Sequence, residues 1–143
     1  MRVFTIGYEA TTMDAFIAAL RAAGVERVID VRAVPLSPRP GFSKNILAAS
    51  LKAAGIDYVL LKNLGTPEPG RDAAKKGDVK TLRQVYAGQL HLPEAQAEAA
   101  MMRALAAERP SALLCFERNP EHCHRTLLLA AEGEGAEVVD LYP

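Results

Sequence analysis

Five short apolar runs, at residues 3–6, 25–31, 56–61, 112–116 and 136–141, alternate with segments that read as helices. No other feature of the chain limits its fold so strongly. Strand and helix in alternation imply a largely parallel sheet with right-handed crossovers and helices on both faces. The fold expected is a three-layer α/β domain, Rossmann-like or flavodoxin-like, with about five strands. With 143 residues, the chain is long enough for one domain with a proper core and short for two ordinary ones.

Punctuation supports the alternation. Gly7 ends the first run, Thr11 or Thr12 caps a helix over 13–23, and Gly24 stops it. After the second run comes a stiff irregular stretch carrying Pro35, Pro38, Pro40 and Gly41. Ser43 then caps a helix over 44–54, stopped by Gly55. Residues 62–79 turn to Pro, Gly, Lys and Asp and predict a mobile surface loop, a lid or a plain connection. Helices are expected over 80–90 and 94–108, as two pieces or one kinked piece, and a last one over 120–132.

Composition narrows the function classes. Lys plus Arg equals Asp plus Glu at 17 each, so the formal net charge is zero. That argues against wholesale coating of nucleic acid, while a local basic patch that contacts nucleic acid stays open. No apolar run has the length of a membrane span, and the N-terminus reads as a strand, not a signal peptide, so a cytoplasmic protein is expected. Cys115 and Cys123 are then expected as thiols and not as a structural staple. Alanine-rich helices offer a surface for homo-oligomer formation, which nothing in the sequence requires.

If the sheet is parallel, the carboxyl ends of its strands lie side by side, where ligands of open α/β folds bind. There the sequence places Gly7-Tyr8-Glu9, Asp30-Val31-Arg32, Leu64-Gly65 and Cys115-Phe116-Glu117. Asp30 and Arg32 alternate about Val31 and share one strand face, as an ion pair closing the sheet or as ligand contacts. Arg39 and Lys44 flank the proline-rich loop and add donors for a carboxylate or phosphate, reinforced by the amino end of the helix after Ser43.

The densest chemistry runs from Cys115 to Arg125. Asn119-Pro120-Glu121 supplies an N-cap, a first-turn proline and a first-turn acid, so the knot sits at a strand-to-helix turn. Helical spacing puts Cys123 and His124 on the inward stripe with Leu127 and Leu128, and Arg125 on its flank. Cys123 is a small core residue or a catalytic thiolate, and an eight-residue separation also lets the two sulfurs meet as a redox pair. His124, between a helix start and an acidic neighbour, is expected to titrate near neutral pH. A divalent metal would recruit Cys115, Cys123, His124, His122 or Glu117. That spacing matches no zinc pattern, so no metal or other cofactor is expected. Gly-x-Gly-x-x-Gly and Walker loops are absent, and a phosphatase loop fails because Glu121 stands where its arginine belongs.

Thr5-Ile6-Gly7-Tyr8, Asp30-Val31-Arg32 followed by Pro35, Ser37, Arg39, Pro40 and Phe42, Leu64-Gly65, and Cys115-x-Glu117 with Cys123-His124-Arg125 together resemble domain-of-unknown-function family 488 over nearly the whole chain. The resemblance implies a compact α/β domain without a settled activity. Its motif positions fall on Asp30, Arg32, Cys115, Glu117, Cys123, His124 and Arg125. Many members have histidine where this chain has Tyr8, and the stretch 66–78 departs from the family's arginine-rich form.

The residues thus support an enzyme for a small anionic or phosphate-bearing, nucleotide-like substrate. Arg32, Arg39, Arg125 and Tyr8 would hold it, and Glu117, His124, Asp30 and Cys123 would carry the chemistry. The alternatives are a binding module for a ligand or nucleic acid, and a structural salt-bridge network among Asp30, Arg32, Glu117 and Arg125.

Overall fold

The computed structural model describes residues 1–143. Five strands, β1 (Arg2–Gly7), β2 (Arg27–Asp30), β3 (Asp57–Leu60), β4 (Ser111–Cys115) and β5 (Glu137–Leu141), form one sheet in the order β3-β2-β4-β1-β5. Every neighbouring pair is parallel. Six α-helices flank it: α1 (Met13–Ala22), α2 (Lys44–Ala53), α3 (Glu68–Lys75), α4 (Val79–Leu90), α5 (Pro93–Glu108) and α6 (His124–Glu132). The result is the three-layer α/β arrangement expected from the alternation. No helix is long and apolar enough to cross a membrane.

The two faces of the sheet are covered by different halves of the chain. Phe4, Ile6, Val28, Ala112 and Leu114 meet Phe16 and Leu20 of α1 and Leu47 and Leu51 of α2. On the other face Val3, Ile29 and Leu113 meet Tyr86 and Leu90 of α4, Ala99 and Met102 of α5, and Leu128 of α6. The strand residues of each set alternate, as a pleat requires. Burial of a side chain such as Phe16 or Leu20 contributes about 1.5–3 kcal/mol. Thr12 caps α1 by accepting from the Ala15 amide at 3.2 Å, as its sequence position predicts.

Two expectations change. The stretch 62–79, read as an irregular loop, contains a 3-10 turn at Lys62–Leu64 and then α3. Its prolines lie at the helix start, where a missing N–H costs no intrahelical bond, and Gly77 ends the segment at φ +72. Punctuation that looked like loop composition marks the two ends of a short helix. The last helix does not start at Pro120: a 3-10 turn covers Pro120–His122, and Cys123 is extended (φ −132°, ψ 153°) before α6 begins. This break resets the helical phase and turns Arg125 fully inward instead of leaving it on a flank.

Gly7 allows the turn after β1 to press against β4. A Cβ there would overlap the Glu117 carbonyl and crowd Nη1 of Arg125 at 2.9 Å. Gly7→Ala is expected to cost about 1–3 kcal/mol in chemical denaturation, since the nearest atoms in the way are Glu117 backbone.

Candidate functional site

Because β4 lies between β1 and β2, its carboxyl end is shared by both neighbours. Gly7 pairs with Cys115, and the amides of Tyr8 and Glu9 both donate to the Phe116 carbonyl, at 3.1 and 2.8 Å. On the other side the Val31 amide donates to Leu114 at 3.1 Å. Above these ends opens a cavity of about 720 Å³. That is the size of sites that hold drug-sized ligands and cofactors.

The cavity wall is cationic. Arg32, Arg39, Arg71 and Lys75 face a single acidic residue, Glu117. Arg39 is placed by the proline-rich loop, which is tied rather than slack: the Ser37 amide donates to Ser43 Oγ at 3.0 Å, and Ser43 Oγ donates back to the Ser37 carbonyl at 3.1 Å. Ser43 therefore closes the loop and makes no side-chain cap on α2. Arg39 Nη1 donates to the Thr11 carbonyl at 2.8 Å, and Arg71 Nη1 to the Thr66 carbonyl at 2.9 Å. Lys75 has no ion-pair partner, and Lys44 stands outside the wall.

Asp30 and Arg32 form a buried pair. Arg32 Nε and Nη2 donate to the two Asp30 oxygens at 2.9 and 2.7 Å, and Nη1 donates to the Phe42 carbonyl at 2.7 Å. Tyr58 Oη donates to Asp30 at 2.5 Å. Burial opposes the Arg32 charge, but the Asp30 contacts outweigh it and leave its pKa raised; burial, then Asp30, pushes the Tyr58 phenol up. Asp30 is saturated and lies behind Arg32, outside the cavity wall, so it positions Arg32 instead of facing a ligand. Arg32 lies over the Tyr8 ring at 5.2 Å, and Tyr8 stacks on Phe42 with centroids 4.8 Å apart.

Glu117 is half-buried and has no ion pair, and burial pushes its carboxyl above the ordinary carboxylate range. His124 differs from its expected near-neutral titration: burial holds the imidazole down to about 4, so it is neutral at pH 7. Its Nε2 lies 2.7 Å from the Val31 carbonyl, which only accepts, so Nε2 carries the hydrogen and Nδ1 is the free base, 3.7 Å from Cys123 Sγ.

The sulfurs of Cys115 and Cys123 are bonded to each other, and neither is a free thiol. This replaces the expectation of two thiols and leaves Cys123 no thiolate for catalysis in this state. Both sulfurs lie within 4.8 Å of each other and of a His124 nitrogen, but joined sulfurs offer no thiolate to an ion. Arg125 is completely buried beneath the cavity and absent from its wall, so it is not placed to touch a ligand directly. Its Nη1 donates to Cys115 Sγ at 3.3 Å and Nη2 to the Arg118 carbonyl at 3.2 Å.

The model of the family described as Domain of unknown function DUF488 matches residues 12–131. The chain belongs to this family. No curated protein and no solved structure matches it. In this DUF488 chain Asp30, Arg32, Cys115, Glu117, Cys123, His124 and Arg125 fall inside the matched residues, while Gly7 and Tyr8 precede them.

Sequence reasoning missed three members of the site, Thr66, Arg71 and Lys75, because their segment read as a loop. Four residues apart, Arg71 and Lys75 share one helix face, a signal usable only once α3 is recognised. Thr66 is 2% exposed and its hydroxyl has no hydrogen-bond partner. A buried hydroxyl left unpaired is costly unless a ligand or water satisfies it.

Proposed function

We propose that the chain is an enzyme that binds a small phosphate-bearing, nucleotide-like anion at the carboxyl ends of its strands and acts on it through Glu117. The observation that carries this reading is the cavity's excess of cations, four against one carboxylate, around the unpartnered Thr66 hydroxyl. Arg39, Arg71 and Lys75 supply donors suited to phosphate oxygens, and Arg32 keeps donors beyond those used on Asp30 and Phe42. Exposed Val34, Leu36 and Phe116 form an apolar lip for the uncharged part of such a ligand. Glu117, whose carboxyl burial pushes upward, is suited to give a proton to a leaving oxygen or to take one from water.

A thermal-shift series with inorganic phosphate, pyrophosphate and mononucleotides tests the binding. A ligand at one hundred times its Kd is expected to add about 2.7 kcal/mol, and an Arg39→Ala/Lys75→Ala variant that keeps its own stability is expected to lose that gain. Stabilisation by none of these anions, or equal stabilisation of the variant, overturns the reading. Phosphorus NMR of the stabilising ligand then follows turnover. Glu117→Gln is expected to lower kcat by about 10²–10⁴-fold while the thermal shift survives, as removal of a general acid or base does. Binding without turnover in the wild type would make the chain a ligand-binding module instead.

A further inference from the structure

Arg125 is 0% exposed, yet no carboxylate lies within ion-pair distance of it. Its Nη2 meets one backbone carbonyl, its Nε meets nothing, and its Nη1 is aimed at a sulfur. Buried guanidinium groups without an anion are strongly unfavourable. A disulfide sulfur is neutral and a weak acceptor, so the bonded form leaves this charge without an anion in contact, and the carboxylates of Asp140 and Glu117 act on it only from beyond ion-pair distance. A Cys115 thiolate would supply an anion in direct contact, at the sulfur Arg125 Nη1 already meets. On the other sulfur, the unprotonated Nδ1 of His124 faces Cys123 Sγ and is suited to accept an S–H. The surroundings therefore differ: a cation for Cys115, a neutral base for Cys123. Cys115 belongs to the cavity wall, together with Arg32, Glu117 and His124, whereas Cys123 does not.

We infer that Cys115 and Cys123 are a redox-active couple, reduced through the cavity by an anionic low-molecular-weight thiol, with Cys115 becoming a thiolate paired to Arg125. The choice of an anionic thiol rests on the cationic cavity argued under Proposed function; the redox couple itself does not. The thiolate of the first small thiol attacks Cys115 Sγ, forming a mixed disulfide as the Cys115–Cys123 bond breaks. Its electron pair leaves on Cys123, which takes up the proton the small thiol gave up and directs it at His124 Nδ1. A second small thiolate attacks the small-molecule sulfur of the mixed disulfide and expels Cys115 as thiolate beside Arg125, its proton going to solvent. Two electrons pass from the two small thiols, oxidised to their disulfide, to the protein. A disulfide whose reduced form is so stabilised is easily reduced.

Three measurements test this on the full chain. The first equilibrates the protein with reduced and oxidised glutathione and reads thiols by maleimide mass shift in native and unfolded samples. Reduction of the folded protein by glutathione is expected, and a bond that persists in millimolar glutathione, as an inert staple does, overturns the couple. The second alkylates reduced Cys123→Ser, which leaves Cys115 and Arg125 in place, with iodoacetamide at about pH 5. Lowering a thiol from about 8.5 to about 6.5 raises its thiolate fraction about a hundredfold there, and the weaker nucleophile retains about a tenfold gain in rate. Arg125→Met in the same background is expected to lose that gain, and a Cys115 no faster than a free cysteine overturns the proposal even if Arg125→Met does not fold. Comparing reduction rates by glutathione and by neutral 2-mercaptoethanol separates the two readings: Arg39→Ala/Lys75→Ala is expected to slow the first alone. Equal slowing, or none, removes the anionic thiol as reductant while the alkylation result stands on its own.

Discussion

Asp30→Ala is expected to lower stability by about 3–5 kcal/mol, the largest effect of any single truncation near the site. Arg32, only 5% exposed, would lose three charge-assisted contacts to one carboxylate, counting its backbone amide as well as Nε and Nη2, and would remain inside as an unpaired charge. Tyr58 would lose its acceptor at the same time. The comparison with Asp30→Ala/Arg32→Met makes the argument specific. With the orphan charge removed, much of the loss is expected to return, because a hydrophobic replacement of both partners is often close to neutral. Urea denaturation of the three proteins measures both quantities. A loss under about 1 kcal/mol in the single variant would mean that water reaches the pair and that it does not hold the strand end.

Acid is expected to weaken the protein through His124. Its imidazole is held at about 4 in the folded chain, against an ordinary value of 6.5. Between these values the unfolded chain binds a proton that the folded one does not, so stability rises with pH across the window. The contribution is fully present above about pH 6.5 and is lost as pH falls through about 4, a change of up to about 3 kcal/mol. The His124→Gln variant keeps an amide donor for the Val31 carbonyl but has no group that titrates in this range. Denaturation of both proteins at neutral pH and near pH 4.5 isolates the term, since every other group is common to them. Equal acid losses in the two would show that His124 is not the group responsible.

Reading the segments in order was enough to recognise a parallel sheet with helices on both faces, since apolar runs of strand length and their glycine and proline punctuation are local signals. It was also enough to bring Tyr8, Arg32, Cys115 and Glu117 to one sheet edge, because parallel strands align their carboxyl ends. Local composition failed for α3, where prolines at a helix start and a glycine after its end look the same in sequence as a loop. It failed again at Cys123, where an extended residue interrupts what reads as continuous helix and rotates Arg125 from the flank to the interior.

What the sequence determined, then, was the class of fold, the edge of the sheet where the reactive side chain types gather, and most of the charged residues found there. These follow from periodicity and chain direction, which each segment carries by itself. Only the tertiary structure decided that β4 inserts between β1 and β2, that Asp30 is closed off by Arg32 and Tyr58 while Glu117 stays unpaired, and that a buried Arg125 has a sulfur for its neighbour. Strand order, charge partners and the pKa shifts of Glu117 and His124 depend on groups far apart in the chain and on how much water is excluded between them. Neither quantity is present in any local stretch of residues.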